Sequence, residues 1–240
     1  SGSTKISRLS VMSAGSDGGL TITESNTASR GNIVENLFLS GSLTVTSDTD
    51  ISLAKITADA AVILSSNKDL SSAELTLSGS ADLSLGTEKI TFSVTTPISV
   101  DSTQKLKNGG GTFNFVGGIT LKAGSELVGQ GRQISGDVNL NGGKLSVEQD
   151  ITFLNNLTHS VGSIINIDPL KTLTYGGVTL DVGATELKIQ GGGSFINAAN
   201  DSIKLNSANS KLVLDNVSVA YVSVSAASNS NKGLEVLADS

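Results

Sequence analysis

The sequence predicts an all-β fold, a single-stranded parallel β-helix or β-solenoid, and three observations point there. Short triplets recur in which two aliphatic or aromatic residues flank a small polar one, the period-2 pattern of a half-buried strand. Gly-, Asn-, Asp- and Ser-rich clusters separate them, such as Asn108-Gly109-Gly110-Gly111, Gly117-Gly118, Asn141-Gly142-Gly143 and Gly191-Gly192-Gly193, and such residues make tight corners. A coarser period of about 22 residues, within the solenoid range, overlies both.

The triplets run through the chain in order. They begin with Leu20-Thr21-Ile22, Leu43-Thr44-Val45, Ile51-Ser52-Leu53, Leu75-Thr76-Leu77, Leu83-Ser84-Leu85, Ile90-Thr91-Phe92 and Ile98-Ser99-Val100. Phe113-Asn114-Phe115, Ile119-Thr120-Leu121, Val138-Asn139-Leu140, Leu145-Ser146-Val147, Ile151-Thr152-Phe153, Ile165-Asn166-Ile167 and Leu173-Thr174-Tyr175 follow. The series closes with Val178-Thr179-Leu180, Leu187-Lys188-Ile189, Ile203-Lys204-Leu205, Leu212-Val213-Leu214, Val217-Ser218-Val219 and Val222-Ser223-Val224. In each, the flanking side chains share a dry face and the central one turns to water.

Triplets begin about 5–9 residues apart in the densest stretches, too close for intervening helices and hence for βαβ units. Following one strand type through Leu75, Ile98, Ile119, Leu145, Ile165, Leu187 and Leu212 gives steps of roughly 23, 21, 26, 20, 22 and 25 residues. The expectation is a right-handed stack of about ten coils, three short strands to each coil of ~22 residues. An antiparallel β-sandwich is the competing fold, but its turn signals recur every ~8–12 residues and its core is richer in aromatics.

Residues 1–32 are expected to hold a vector-derived Ser1-Gly2-Ser3 followed by an irregular amino-terminal cap or first coil, with Met12–Gly19 as a loop. Residues 33–240 are expected to form the helix proper, as part of a longer chain. After Tyr221 the pattern breaks across 226–233 and resumes at Leu234-Glu235-Val236-Leu237.

Composition narrows the chemistry. Aromatics are 3%, charged residues 16%, and cysteine and tryptophan are absent, so the core is aliphatic and thiolate metal sites and disulfides are excluded. A net charge of −6 with scattered Lys and Arg argues against a nucleic-acid partner. No apolar run approaches the ~18 residues of a spanning helix, so no membrane insertion by this segment is expected.

The candidate reactive residues read as structural. His159 is the single histidine; it is expected in a surface loop, because no Gly-x-Ser-x-Gly elbow accompanies it. Asp48 and Asp50 form the nearest carboxylate pair but lie in a turn-forming Ser47-Asp48-Thr49-Asp50, with no calcium-loop motif. Asp101, Asp137, Asp168, Asp181, Asp201 and Asp215 mostly adjoin triplet ends and are expected at corners. Gly129-Gln130-Gly131 is read as a turn. Corner asparagines such as Asn108, Asn141 or Asn197 are candidates for an amide ladder between coils.

Leu75-Thr76-Leu77-Ser78-Gly79-Ser80, Ile119-Thr120-Leu121-Lys122-Ala123-Gly124 and Val138-Asn139-Leu140-Asn141-Gly142-Gly143 give the chain, from about Leu37 onward, a rhythm that resembles the β-helical passenger regions of bacterial autotransporter and filamentous-haemagglutinin-like surface proteins. The resemblance implies a secreted or cell-surface bacterial adhesin or stalk, presenting a rod to a protein or glycan ligand on a surface or host cell. No protease motif or membrane barrel accompanies it, so no enzymatic activity, catalytic residue, metal or cofactor is expected. The ligand-binding residues and the oligomeric state are not specified by the sequence. Two other readings are a polysaccharide-active lyase or hydrolase, which needs several carboxylates on one exposed face, and an ice-binding face, which needs aligned outward Thr rows of the kind hinted at by Thr21/Thr23 and Thr44/Thr46.

Overall fold

The computed structural model describes residues 6–12, 20–23, 34–46, 50–177, 180–198, 202–220, 223–226 and 233–237. They form strands and turns only, and every strand pair is parallel. The fold is the β-solenoid that the sequence predicts.

Two sheets of 11 strands each run the length of the stack. Sheet 1 includes Ile6–Met12, Val34–Ser40, Ile51–Ala58, Leu70–Leu77, Thr91–Val94 and Thr112–Phe115, and ends at Ser218–Ala220. Sheet 2 runs from Leu20–Thr23 through Asp82–Leu85, Lys105–Lys107, Glu126–Gly129 and Lys144–Val147 to Gly233–Leu237. At ~4.8 Å per strand, ten intervals make a stack of roughly 48 Å. The strands Ile6–Met12 and Leu20–Thr23 already pair in register with Val34–Ser40 and Leu43–Thr46, so the parallel ladder begins before residue 33.

Three strands per coil hold only from Thr91 onward. Among the described residues, earlier coils have two, because the sheet 1 strand is long and bent. In Ile51–Ala58 the inward residues are Ile51, Leu53, Ile56 and Ala58, so alternation slips at Ala54-Lys55; in Leu70–Leu77 it slips at the stacked Ala73-Glu74. Two consecutive outward residues turn the strand without ending it. One coil later the same corner is Thr95-Thr96-Pro97, and proline, with no N–H to donate, splits the strand into Thr91–Val94 and Ile98–Val100. Ile98–Val100 opens sheet 3, which continues through Ile119–Lys122, Val138–Asn141 and Leu157–His159. A separate three-stranded ladder, Leu180–Val182, Ser202–Leu205 and Ser223–Ala226, takes the same place in later coils.

The observed register corrects the phasing. Ile119 stacks on Val138, not Leu145, and Leu145 stacks on Leu127 in sheet 2. The long step in the sequence series was a change of face. Ile165 likewise stacks on Ile189, while Leu187 stacks on Leu212.

The interior is a continuous column of aliphatic rungs with an aromatic thread along sheet 1. Phe92, Phe113, Ile134, Phe153, Tyr175 and Asn197 succeed one another in register. Phe153 and Tyr175 lie stacked with centroids 5.8 Å apart, and Phe92 and Phe113 tilt at 6.1 Å. Each fully buried Leu, Ile or Phe contributes ~1.5–3 kcal/mol relative to exposure, and successive coils supply one another's backbone partners.

Candidate ligand-binding face and cleft

The outward residues differ sharply between the two long sheets. In sheet 2, acids and bases alternate from coil to coil: Asp82, Lys105, Glu126 and Lys144 occupy one column. Lys105 Nζ lies 2.8 Å from Glu126 Oε2 and Lys144 Nζ 3.1 Å from Glu126 Oε1, while Lys107 pairs with Asp82 at 2.7 Å. Farther along, Lys188 pairs with Asp215 at 2.6 Å, and Lys211 bridges Glu186 at 3.0 Å and Glu235 at 2.8 Å. Burial pushes the Glu126 carboxyl up, but hydrogen bonds from Lys105, Ser146 and Lys144 outweigh it and hold the pKa at about 2.

Sheet 1 carries an ion pair in its early strands, Lys55 Nζ lying 2.5 Å from Glu74 Oε1, but no charge from Thr91 onward. The strands Thr91–Val94, Thr112–Phe115, Gln133–Ser135, Ile151–Phe153, Thr172–Tyr175, Ser194–Asn197 and Ser218–Ala220 contain neither acid nor base. Thr91, Thr112, Gln133, Thr152 and Thr174 form one outward column. Beside it, Asn114 Nδ2 donates to Ser93 Oγ at 3.2 Å and Ser135 Oγ donates to Asn114 Oδ1 at 3.1 Å. From Thr91 to Thr174 the column is threonine except at Gln133, whereas from Thr44 the sheet 2 column passes to Ser65. The Thr21–Thr44 and Thr23–Thr46 registers are present.

Where the chain leaves sheet 2 for sheet 1, the turns of successive coils line a cleft of about 590 Å³. Its walls include Ile63, Ser84, Leu85, Thr87, Gln130 and Gln149, and its floor is glycine backbone. The bare floor has a steric cause. A Cβ on Gly109 would overlap the Leu85 carbonyl oxygen, and one on Gly110 the Thr87 carbonyl oxygen; Gly109 also has φ +50°. Asn108 pins this turn to the next coil. Its Oδ1 accepts from the N–H groups of Gln130 (2.7 Å) and Gly131 (3.0 Å), and its Nδ2 donates to the carbonyls of Gly111 (3.2 Å) and Gln133 (3.4 Å). Asn108 therefore clips main chain and does not pair with a second asparagine. Asn141 is exposed and accepts from Ser160 Oγ at 3.0 Å, and Asn197 is buried in the aromatic column. Gly129-Gln130-Gly131, expected as a turn, is a strand end and bend, and Gln130 lines the cleft, which no local motif announces.

His159 is not in a surface loop. It ends the strand Leu157–His159 and stacks on the inward Leu140, so the imidazole takes an inward column position. Its Nδ1 is 3.3 Å from Thr185 Oγ1 and its Nε2 is buried without a hydrogen-bond partner; burial lowers its pKa. Asp50 is exposed, while Asp48 and Asp201 lie outside the described residues. Asp101 is at a corner, paired with Lys122 at 2.5 Å, and Asp137 Oδ1 accepts from Asn156. Asp181 departs from the corner expectation: it is the outward centre of Leu180–Val182, accepting from Asn206 Nδ2 at 2.5 Å. Asp168 and Asp215 adjoin strand ends. Among the described residues no three His, Asp or Glu side chains group as metal ligands would. No helix of the described residues is long and apolar enough to cross a membrane.

Compared with known proteins, the chain matches no family model, no curated protein and no solved structure.

Proposed function

We propose that this chain is a non-enzymatic structural and adhesive segment of an extracellular bacterial surface protein, a rod that meets a surface ligand along the flank of sheet 1. The observation that carries the reading is the asymmetry of the two long faces: seven successive strands of sheet 1 without a charged residue, against the laddered ion pairs of sheet 2. Burying a charge against a partner costs far more than burying a hydroxyl or amide that finds a new hydrogen bond. A flat face of Thr, Ser, Asn and Gln side chains thus forms contacts at low desolvation cost, whereas the charged face resists burial and favours solubility. The rhythm shared with autotransporter passengers supports the same placement, outside a bacterial cell.

The test is an adhesion assay on immobilised glycans and host-cell surfaces. A triple variant, Thr112→Lys, Thr152→Lys and Thr174→Lys, places cations on sheet 1, and Lys107→Thr, Lys144→Thr and Lys188→Thr serve as the comparison on sheet 2. Adhesion is expected to fall at least tenfold in the first and to stay within about twofold in the second, with both folded by circular dichroism. Equal loss in both variants, or depolymerisation of a polysaccharide by the unmodified chain, contradicts the proposal. The Thr91–Thr174 column also favours a second reading, ice binding, which thermal hysteresis of the same protein checks directly.

A further inference from the structure

We propose that the cleft above the sheet 2 to sheet 1 turns binds a chain of uncharged sugars lying parallel to the axis of the stack; this rests on the adhesive reading and names its ligand class. A volume of about 590 Å³ falls within the usual range of small-ligand sites. The lining comes from five successive coils, through Ser65, Gly86, Gly110, Gln130 and Gln149. At ~4.8 Å per coil the rungs span about 19 Å, so the site is elongated along the axis and suits a linear polymer better than a compact molecule.

The lining chemistry then selects among polymers. No residue lining the cleft is itself charged, although Glu88 lies against Gly86 and Glu148 and Lys171 hold the two lining glutamines; with both signs at its edge and a net chain charge of −6, the cleft gives neither a polyanion nor a polycation a matching field. A peptide strand adding to a sheet needs unpaired backbone groups, but on the sides of this stack strand backbone is paired with the coils on either side. What the cleft does offer is hydroxyls and amides beside half-exposed Ile63 and a floor of bare glycine backbone. Gln130 Nε2 donates to Glu148 at 2.6 Å, so its amide presents Oε1 as an acceptor; Gln149 Oε1 accepts from Lys171 Nζ at 3.2 Å, so its amide presents Nε2 as a donor. A sugar hydroxyl is both donor and acceptor and satisfies the two in turn. The apolar C–H face of a sugar ring packs on half-exposed Ile63 and beside the bare glycine backbone. The Gln130 backbone is already fixed through Asn108, which reduces the ordering cost of binding.

Calorimetric titration of the 240-residue chain tests this, with neutral hexasaccharides of glucose, mannose and galactose as probes and a galacturonate hexasaccharide as the charged comparison. At least one neutral probe is expected to bind in preference to the galacturonate. The variant Gln130→Ala with Gln149→Ala is expected to weaken it at least tenfold with an unchanged melting temperature. Thr87→Arg, from an exposed wall position, repeats the test should the double variant unfold. The proposal is overturned by no binding of any neutral probe, by preference for galacturonate, or by unaltered binding in both variants. Failure here with adhesion still lost in the sheet 1 lysine variant removes the cleft and leaves the flank reading standing; sugar binding without sheet 1-dependent adhesion does the reverse.

Discussion

Asn108 is fully buried, and its carboxamide satisfies two main-chain N–H groups of the following coil while donating to two carbonyls. Truncation to alanine removes the partner of these buried or partly buried groups, at a cost of ~1–3 kcal/mol for each polar group left without one. Asn108→Ala is therefore expected to lower stability by about 2–4 kcal/mol in urea or guanidinium titration. Asn141→Ala, at an exposed corner, is expected to change it by under about 1 kcal/mol. A composition rich in Asn made corner asparagines visible in the sequence, but not which one turns inward, since that depends on a carbonyl and an amide supplied by the next coil. His159 was misplaced for the same reason. Leu157-Thr158-His159 has the triplet's alternation with a polar residue in the second inward slot, and only the alignment with Leu140 reveals it.

At the scale of the strand, alternation was a faithful guide wherever two inward residues flank a centre. Ile98-Ser99-Val100 and Val138-Asn139-Leu140, for instance, bury both flanks and expose the middle. It failed to register rungs with one inward residue, such as Lys105-Leu106-Lys107 and Gln133-Ile134-Ser135, because a lone aliphatic among polar residues has no period. Central residues do not always reach water either. Ser146 is buried beneath the ion-paired side chains of sheet 2, its Oγ donating to Glu126 at 2.5 Å, so a lysine there would crowd a site that already holds two cations. The Glu126 cluster gives this face a pH dependence. A carboxyl whose folded pKa is about 2, below its ordinary value of ~4.3 when unfolded, stabilises the fold fully above that unfolded value. The contribution fades as pH falls toward 2. Stability measured from pH 6 to pH 2 is expected to decline below about 4.3, and Glu126→Gln is expected to flatten that decline while lowering stability at pH 6. An unchanged pH slope in the variant would exclude Glu126 as its source.

For the whole molecule, the repeating unit and the parallel winding were legible because every coil repeats the same compromise between a narrow aliphatic interior and polar corners. The cleft was not, because it is made of absences: glycines at corners of different coils align only after the coils are stacked, and the glutamines above them sit in turns with no shared motif. The uncharged flank lay in plain sight as Thr, Ser and Asn centres, yet its continuity depends on which triplets share a sheet, which only the register of the coils decides. The account stands on parallel, in-register stacking. Double electron–electron resonance between spin labels on Thr91→Cys paired in turn with Thr152→Cys, Thr174→Cys and Ile196→Cys measures it directly, the chain having no native cysteine. These residues occupy one column. The expected mean separations increase evenly by about 4.8 Å with each added coil, reaching roughly 24 Å between backbones at Ile196. Separations that fail to rise in that order, or that fall as the pair is moved along the chain, would contradict it.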